Sequence, residues 1–123
     1  MGMHRLQHLL SAVLIGAAVF ALGGCGGQAT AGREIQITAK EFAFEPDVIA
    51  VKPGERVRFV IVNTGTTDHE FESDEAKIEE ITIPAGKQRV LTWTASAQPG
   101  EFAFLCDAPG HKEAGMVGRI VVQ

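Results

Sequence analysis

The sequence predicts an all-β fold, a sandwich or Greek-key barrel of seven or eight short strands. Three observations predict it. From Arg33 onward apolar and polar residues alternate with period two in run after run, and no window of a dozen residues carries helical spacing. Turn chemistry stands between the runs, at Lys52-Pro53-Gly54-Glu55, Pro84-Ala85-Gly86-Lys87 and Gln98-Pro99-Gly100-Glu101. The 99 residues from Cys25 to Gln123 make one small domain. A chain of that size buries roughly 60–68% of its unfolded surface, enough for a core but not for a large catalytic cleft.

The elements follow in order, beginning with an export signal at residues 1–24. Met1 to His8 form a short, weakly basic segment holding His4, Arg5 and His8. Leu9 to Leu22 are 14 residues with Ser11 alone polar, the length of a signal-peptide core and short of the 18–20 apolar residues that a membrane span needs. Leu22-Gly23-Gly24-Cys25 then resembles a bacterial lipobox, in which the cysteine is acylated and becomes the mature N-terminus. Residues 25–32 have the composition of a flexible tether. The expected product is a lipoprotein in the cell envelope, held at a membrane by acyl chains on Cys25. The alternative is an ordinary cleaved signal with a Cys25–Cys106 disulfide, although a Gly-rich run around Cys25 gives that bond no fixed geometry.

The domain occupies residues 33–123. Ile35 and Ile37 alternate with Glu34, Gln36 and Thr38; Phe42 and Phe44 follow, and Val48 to Val51 come after Pro46. Val57, Phe59 and Ile61 share one face. Ile81 and Ile83 make a short strand, and Leu91 and Trp93 face away from Val90, Thr92 and Thr94. Phe102, Phe104 and Cys106 share a face, and Val117 to Val122 close the chain. Glu72 to Glu80 is acidic and reads as a loop or a short helix.

Apolar residues at 46%, charged residues at 21% and a moderate 14 Gly and 5 Pro exclude disordered and fibrous classes. The net charge of −4 becomes −5 once residues 1–24 and their single charged residue, Arg5, are removed, which excludes nucleic-acid binding.

Of four His, three Met and two Cys, export removes His4, His8, Met1 and Met3, and acylation consumes the thiol of Cys25. His69, Cys106, His111 and Met116 remain, and the last three form C-x4-H-x4-M on a loop rich in Gly and Pro. Thiolate and two imidazoles with a weak thioether suit a copper ion cycling between Cu(I) and Cu(II). Zinc accepts Cys and His but has little use for Met, and its structural sites usually carry more thiolates. Taken singly, Cys106 also reads as a core residue, His69 as a solvated loop histidine and Met116 as core filler. Together they leave no spare soft ligand in the mature chain.

Phe104-Leu105-Cys106, Pro109-Gly110-His111, Gly115-Met116 and Gly118 to Val122 resemble the C-terminal signature of the cupredoxins, the type 1 blue copper proteins. The loop spacing looks most like auracyanin, rusticyanin and the phytocyanins, and Phe42-Ala43-Phe44, Pro46, Ile49 and Val51 with Pro53-Gly54 are similar to plastocyanin-like domains. The resemblance implies a Greek-key β-sandwich with one copper ion at one end, bound by His69, Cys106, His111 and Met116. Many blue copper carriers have Asn after the first His ligand, tying the ligand loops together; this sequence has Glu70. Facing inward, Glu70 would stabilise Cu(II) and lower the potential. Asp68-His69-Glu70-Phe71-Glu72 looks like a branch found alone or attached to bacterial metal-uptake lipoproteins.

Seven acids fall between Asp68 and Glu80, relieved only by Lys77. They read either as a solvated loop or as a docking patch for a basic redox partner. In the family, small and apolar residues around the C-terminal His, here Ala108, Pro109, Gly110, Ala114 and Gly115, form the contact face through which the electron leaves. No enzyme is expected: Leu105 and Asp107 flank Cys106, where copper reductases and oxidases place a His that leads to a second copper. Two functions stay open for an expected monomer. One is a membrane-tethered single-electron carrier between redox partners; the other is a copper-binding module for acquisition, buffering or delivery.

Overall fold

The computed structural model describes residues 31–123. The signal segment and Cys25 lie outside the described residues. Nine strands run in chain order among those described: β1 (Arg33–Lys40), β2 (Ala43–Glu45), β3 (Val48–Val51), β4 (Arg56–Asn63), β5 (His69–Ser73), β6 (Ile78–Ile83), β7 (Gln88–Thr94), β8 (Gly100–Leu105) and β9 (Val117–Val122). They form two sheets, β2-β1-β4-β7 and β3-β9-β8-β5-β6. Parallel pairing of β1 with β4 and of β3 with β9 makes the connections cross between sheets, so the all-β sandwich has Greek-key character. No described helix is long and apolar enough to cross a membrane.

The alternation seen in sequence fills the space between the sheets. Ile37, Phe44, Ile49, Val51, Val57, Phe59, Ile61, Phe104 and Ile120 are buried. Phe44, Phe71 and Phe104 meet with ring centroids 5.0–5.7 Å apart at tilted or edge-on angles, the arrangement that aromatic quadrupoles favour. Phe59 extends the cluster to Trp93, which donates its indole N–H to the Ala76 carbonyl and so ties one sheet to the other.

The acidic segment departs from expectation. Glu72 to Glu80 is neither a free loop nor a helix: its ends lie in β5 and β6, with a turn at residues 74–77 between them. His69, Phe71 and Ser73 point inward while Glu70 and Glu72 point outward, so the strand period hides inside what composition presents as a charge run. Ser73 and Glu75 fold the turn onto β8, the Ser73 hydroxyl donating to the Ala103 carbonyl and the Glu75 carboxylate accepting the Ala103 amide. Counting β5 raises the strand number from the expected seven or eight to nine.

Candidate metal centre

Three strand ends deliver the predicted residues to one end of the sandwich. His69 opens β5, paired with Ile83 of β6; Cys106 follows the last residue of β8; His111 and Met116 lie on the loop between β8 and β9. Phe71 sits two residues beyond His69 on the same inward face, and Phe104 two residues before Cys106, so the aromatic core forms the floor of the site.

The loop from Cys106 to Met116 closes on itself. The Cys106 amide donates to the Met116 carbonyl (3.1 Å) and the Met116 amide to the His111 carbonyl (3.0 Å). The His111 amide donates to Ala108 and the Ala114 amide to Gly110. Gly110 adopts φ 84°, a left-handed conformation that glycine takes without penalty and that turns the chain directly before His111.

The side chains converge. Nδ1 of His69 lies 3.2 Å from Nδ1 of His111, which lies 3.4 Å from Cys106 Sγ, and all three donor atoms fall within 4.8 Å of one another. Donors around a single ion, each about 2.0–2.3 Å from it, stand roughly 3–4 Å apart. The three atoms therefore fit one small metal ion. His69, Cys106 and Met116 are fully buried, whereas His111 is partly exposed and meets the edge of Phe42, itself 43% exposed (centroids 4.9 Å). Met116 stands at the foot of the same loop.

The electrostatics are those of donors in a dry site. Burial pushes the Cys106 thiol pKa up, against the amides of Glu70 and Ala108, which favour the thiolate; the Glu70 N–H lies 3.2 Å from Sγ. Burial likewise pushes His69 down, helped by His111 and opposed by Glu41 and Asp68, so its imidazole is held neutral, the form that binds a metal. The site offers a soft sulfur beside two imidazoles, with a thioether close in sequence. That set suits copper better than zinc, which has no use for the thioether.

The tie between the ligand loops is kept by different atoms. Glu70 makes it through its backbone amide, while its carboxylate points to the outer face. The inward orientation in which Glu70 would stabilise Cu(II) is therefore not the one it adopts. Partial burial, then Glu80 and Asp107, raises the Glu70 carboxyl, and burial, then Asp107, raises Glu72. These neighbours gather into an acidic outer face beside the site. Two of the seven acids also hold the fold: Asp68 accepts the Ala85 amide, and Glu75 accepts that of Ala103.

Two residues with no metal-ligand signature hold His69 in place. Asn63, buried at the end of β4, donates to the Thr67 and Ile83 carbonyls (2.8 Å each) and accepts the Gly65 amide. Glu41 reaches over from the β1–β2 turn to accept the amides of Thr66 and Thr67. A buried Asn at a strand end is a faint signal for a loop clamp; Glu41 carries none.

The comparisons with known proteins agree with this geometry. The family model of the cupredoxin-like domain matches residues 12–122. A copper-resistant cuproprotein CopI from Rubrivivax gelatinosus is 34% identical over 121 residues, covering 82% of this chain and 73% of that protein. A plastocyanin from Nostoc punctiforme is 32% identical over 94 residues, covering 66% of this chain and 65% of that protein. Among solved structures, dithionite-reduced auracyanin from Roseiflexus castenholzii superposes with a TM-score of 0.65 over 75% of this chain and 98% of its own, at 24% identity, a likeness of fold. A family match across nearly the whole chain, on a two-sheet sandwich with one end that gathers His69, Cys106 and His111, places this chain in the cupredoxin-like domain family, to which it belongs.

Proposed function

We propose that the protein is a cupredoxin holding one copper ion through His69, Cys106, His111 and Met116, and that it carries single electrons between redox partners in the cell envelope. The observation that carries this reading is the convergence of His69 Nδ1, Cys106 Sγ and His111 Nδ1 on one buried point. Copper bound there supplies a one-electron Cu(I)/Cu(II) couple. The protein's part is to hold the donors still: β5 fixes His69, the closed loop fixes the other three, and the aromatic floor excludes water. Rigid donors keep reorganisation small when the charge changes. His111 and Phe42, at the exposed edge among small apolar residues, form the contact face for a partner. The acidic outer face of Glu70, Glu72, Glu80 and Asp107 steers a basic partner toward it. An acyl anchor on Cys25 keeps the carrier at a membrane, and the protein is no enzyme by itself.

A second reading, copper acquisition, buffering or delivery, is favoured by the relatives named copper-resistant cuproproteins, in Rubrivivax gelatinosus, Pseudomonas aeruginosa and Vibrio cholerae. Delivery requires exchange, and here only His111 among the four proposed ligands reaches the surface. That burial supports the carrier. Titration of the protein with copper(II), followed by visible absorption and EPR, tests the reading. The expected result is an intense blue band with narrow copper hyperfine splitting, complete at one equivalent. A pale product, or copper lost readily to a weak chelator, removes the carrier and moves delivery ahead.

A further inference from the structure

His69 carries an unresolved demand. For Nδ1 to ligate a metal beside the other donors, the neutral imidazole must carry its proton on Nε2. Nε2 is fully buried, and it is the one buried side-chain nitrogen or oxygen among the described residues with no hydrogen-bond partner. The charged group facing it is Glu41, whose Oε1 lies 3.9 Å away. Metal-ligating histidines almost always give their second ring N–H to a carboxylate, carbonyl or water, and that bond sets the tautomer.

Glu41 is built into position for this. Its Oε1 accepts the amides of Thr66 and Thr67 and stands 3.3 and 3.4 Å from their hydroxyls. The Thr66 amide, with that of Thr67 against a smaller opposing effect of burial, holds the carboxyl down at about 2, so it stays ionised under all ordinary conditions. Residue 65 is glycine where the carboxylate presses on the loop: a Cβ there would fall 2.4 Å from Oε1. An alanine at 65 would push the carboxylate out, so the close approach depends on this glycine.

We propose that Glu41 is the positioning residue of His69: its carboxylate, 3.9 Å from Nε2 and within a small side-chain shift of accepting its N–H, favours the tautomer that leaves Nδ1 free for the metal and sets a negative charge beside the ligand that favours Cu(II) over Cu(I). The role rests on the copper reading above. It also gives the chain a charged support for its first histidine, reached from the opposite sheet.

Two measurements on the full protein test it. In metal-free protein carrying 15N-labelled histidine, NMR should report His69 as a single tautomer protonated on Nε2. Glu41→Gln keeps a neutral acceptor and should retain that tautomer, whereas Glu41→Ala should mix the two. In copper-loaded protein, Glu41→Gln should weaken Cu(II) binding about 10–100-fold. A tenfold loss confined to Cu(II) reads as a potential raised by about 59 mV. Glu41→Asp restores the charge and should bring the potential back toward the parent value. Glu34→Gln, removing the same charge at the far end of β1, should leave it unchanged.

A potential unmoved in Glu41→Gln, or moved equally by Glu34→Gln, overturns the proposal. So does a His69 tautomer that is the same in Glu41→Ala as in the parent. Should Glu41→Gln fail to fold, the Asp variant and the parent's tautomer carry the test. A parent protein that takes up no copper defeats the copper reading instead, and the metal-free NMR then judges the positioning role by itself.

Discussion

Two segments bring the donors together, and they do so by opposite means. The loop from Cys106 to Met116 is held by hydrogen bonds among its own residues, Cys106 to Met116, Met116 to His111 and His111 to Ala108. His69 is held from a distance: Asn63 of β4 fixes the approach at Thr67 and Ile83, Glu41 grips Thr66 and Thr67 from another turn, and β6 pairs with its strand. A locally closed loop keeps its shape when the rest of the fold is perturbed. A histidine held from three elements is only as well placed as the packing of both sheets. The C-terminal loop should therefore supply the identity of the metal chemistry, and the His69 side its adjustable part.

Removing the thiol breaks the comparison at its strongest point. Cys106→Ser should abolish the intense thiolate-to-copper absorption altogether, because no other thiol is present at the site. The fold should survive, since the aromatic core beneath is unchanged and the loop's bonds run through backbone atoms. Absorption and circular dichroism on one sample check both halves. A variant still intensely blue would take Cys106 out of the centre.

The His69 side is probed through its clamp. Asn63→Ala takes this donor from the buried Ile83 carbonyl and the part-buried Thr67 carbonyl and leaves the Gly65 amide without its acceptor, a cost of about 1–3 kcal/mol for a buried group stripped of its partner. Chemical denaturation of the metal-free protein should read that loss. In the loaded protein the copper spectrum should broaden while one equivalent still binds. An unchanged spectrum would mean that the histidine does not depend on distant support, and the contrast between the two segments would fall.

The same contrast explains what was legible in the sequence. Cys106, His111 and Met116 fall within eleven residues, and a loop that closes on itself has to write its ligands close together. Strands β1, β3, β4, β7, β8 and β9 were readable because each alternates against one core. Strand β5 was not: His69, Ser73 and their acidic neighbours carry little hydrophobic signal, and Phe71 is the only apolar residue on its inward face. Its burial comes from pairing with β6 and β8, which no local window contains. Glu41 and Asn63 stayed hidden for the same reason, since what they do depends on partners that the fold supplies.

The smallest expected effect is a dependence on pH, and it separates the two segments by its sign. On the acid side, burial holds the His69 pKa below 6.5, so the unfolded chain takes up a proton that the folded chain refuses. Stability of the metal-free protein falls as pH drops through 6.5. Glu70 and Glu72 oppose this, because their raised carboxyls relieve a penalty over part of the same range. The alkaline side is cleaner, as the chain has no Tyr. Burial holds the Cys106 thiol above 9.0, so above that pH the unfolded chain releases a proton that the folded chain keeps. The unfolded state then binds fewer protons, and stability falls as pH rises, by at most about 1.4 kcal/mol per pH unit. Thermal melts of metal-free protein between pH 8 and 10 should show this slope, and Cys106→Ala should flatten it. A bound metal ion reverses the preference by favouring the thiolate, so the loaded protein should lose the slope as well. An alkaline slope that persists in Cys106→Ala would place its source outside the ligand loop.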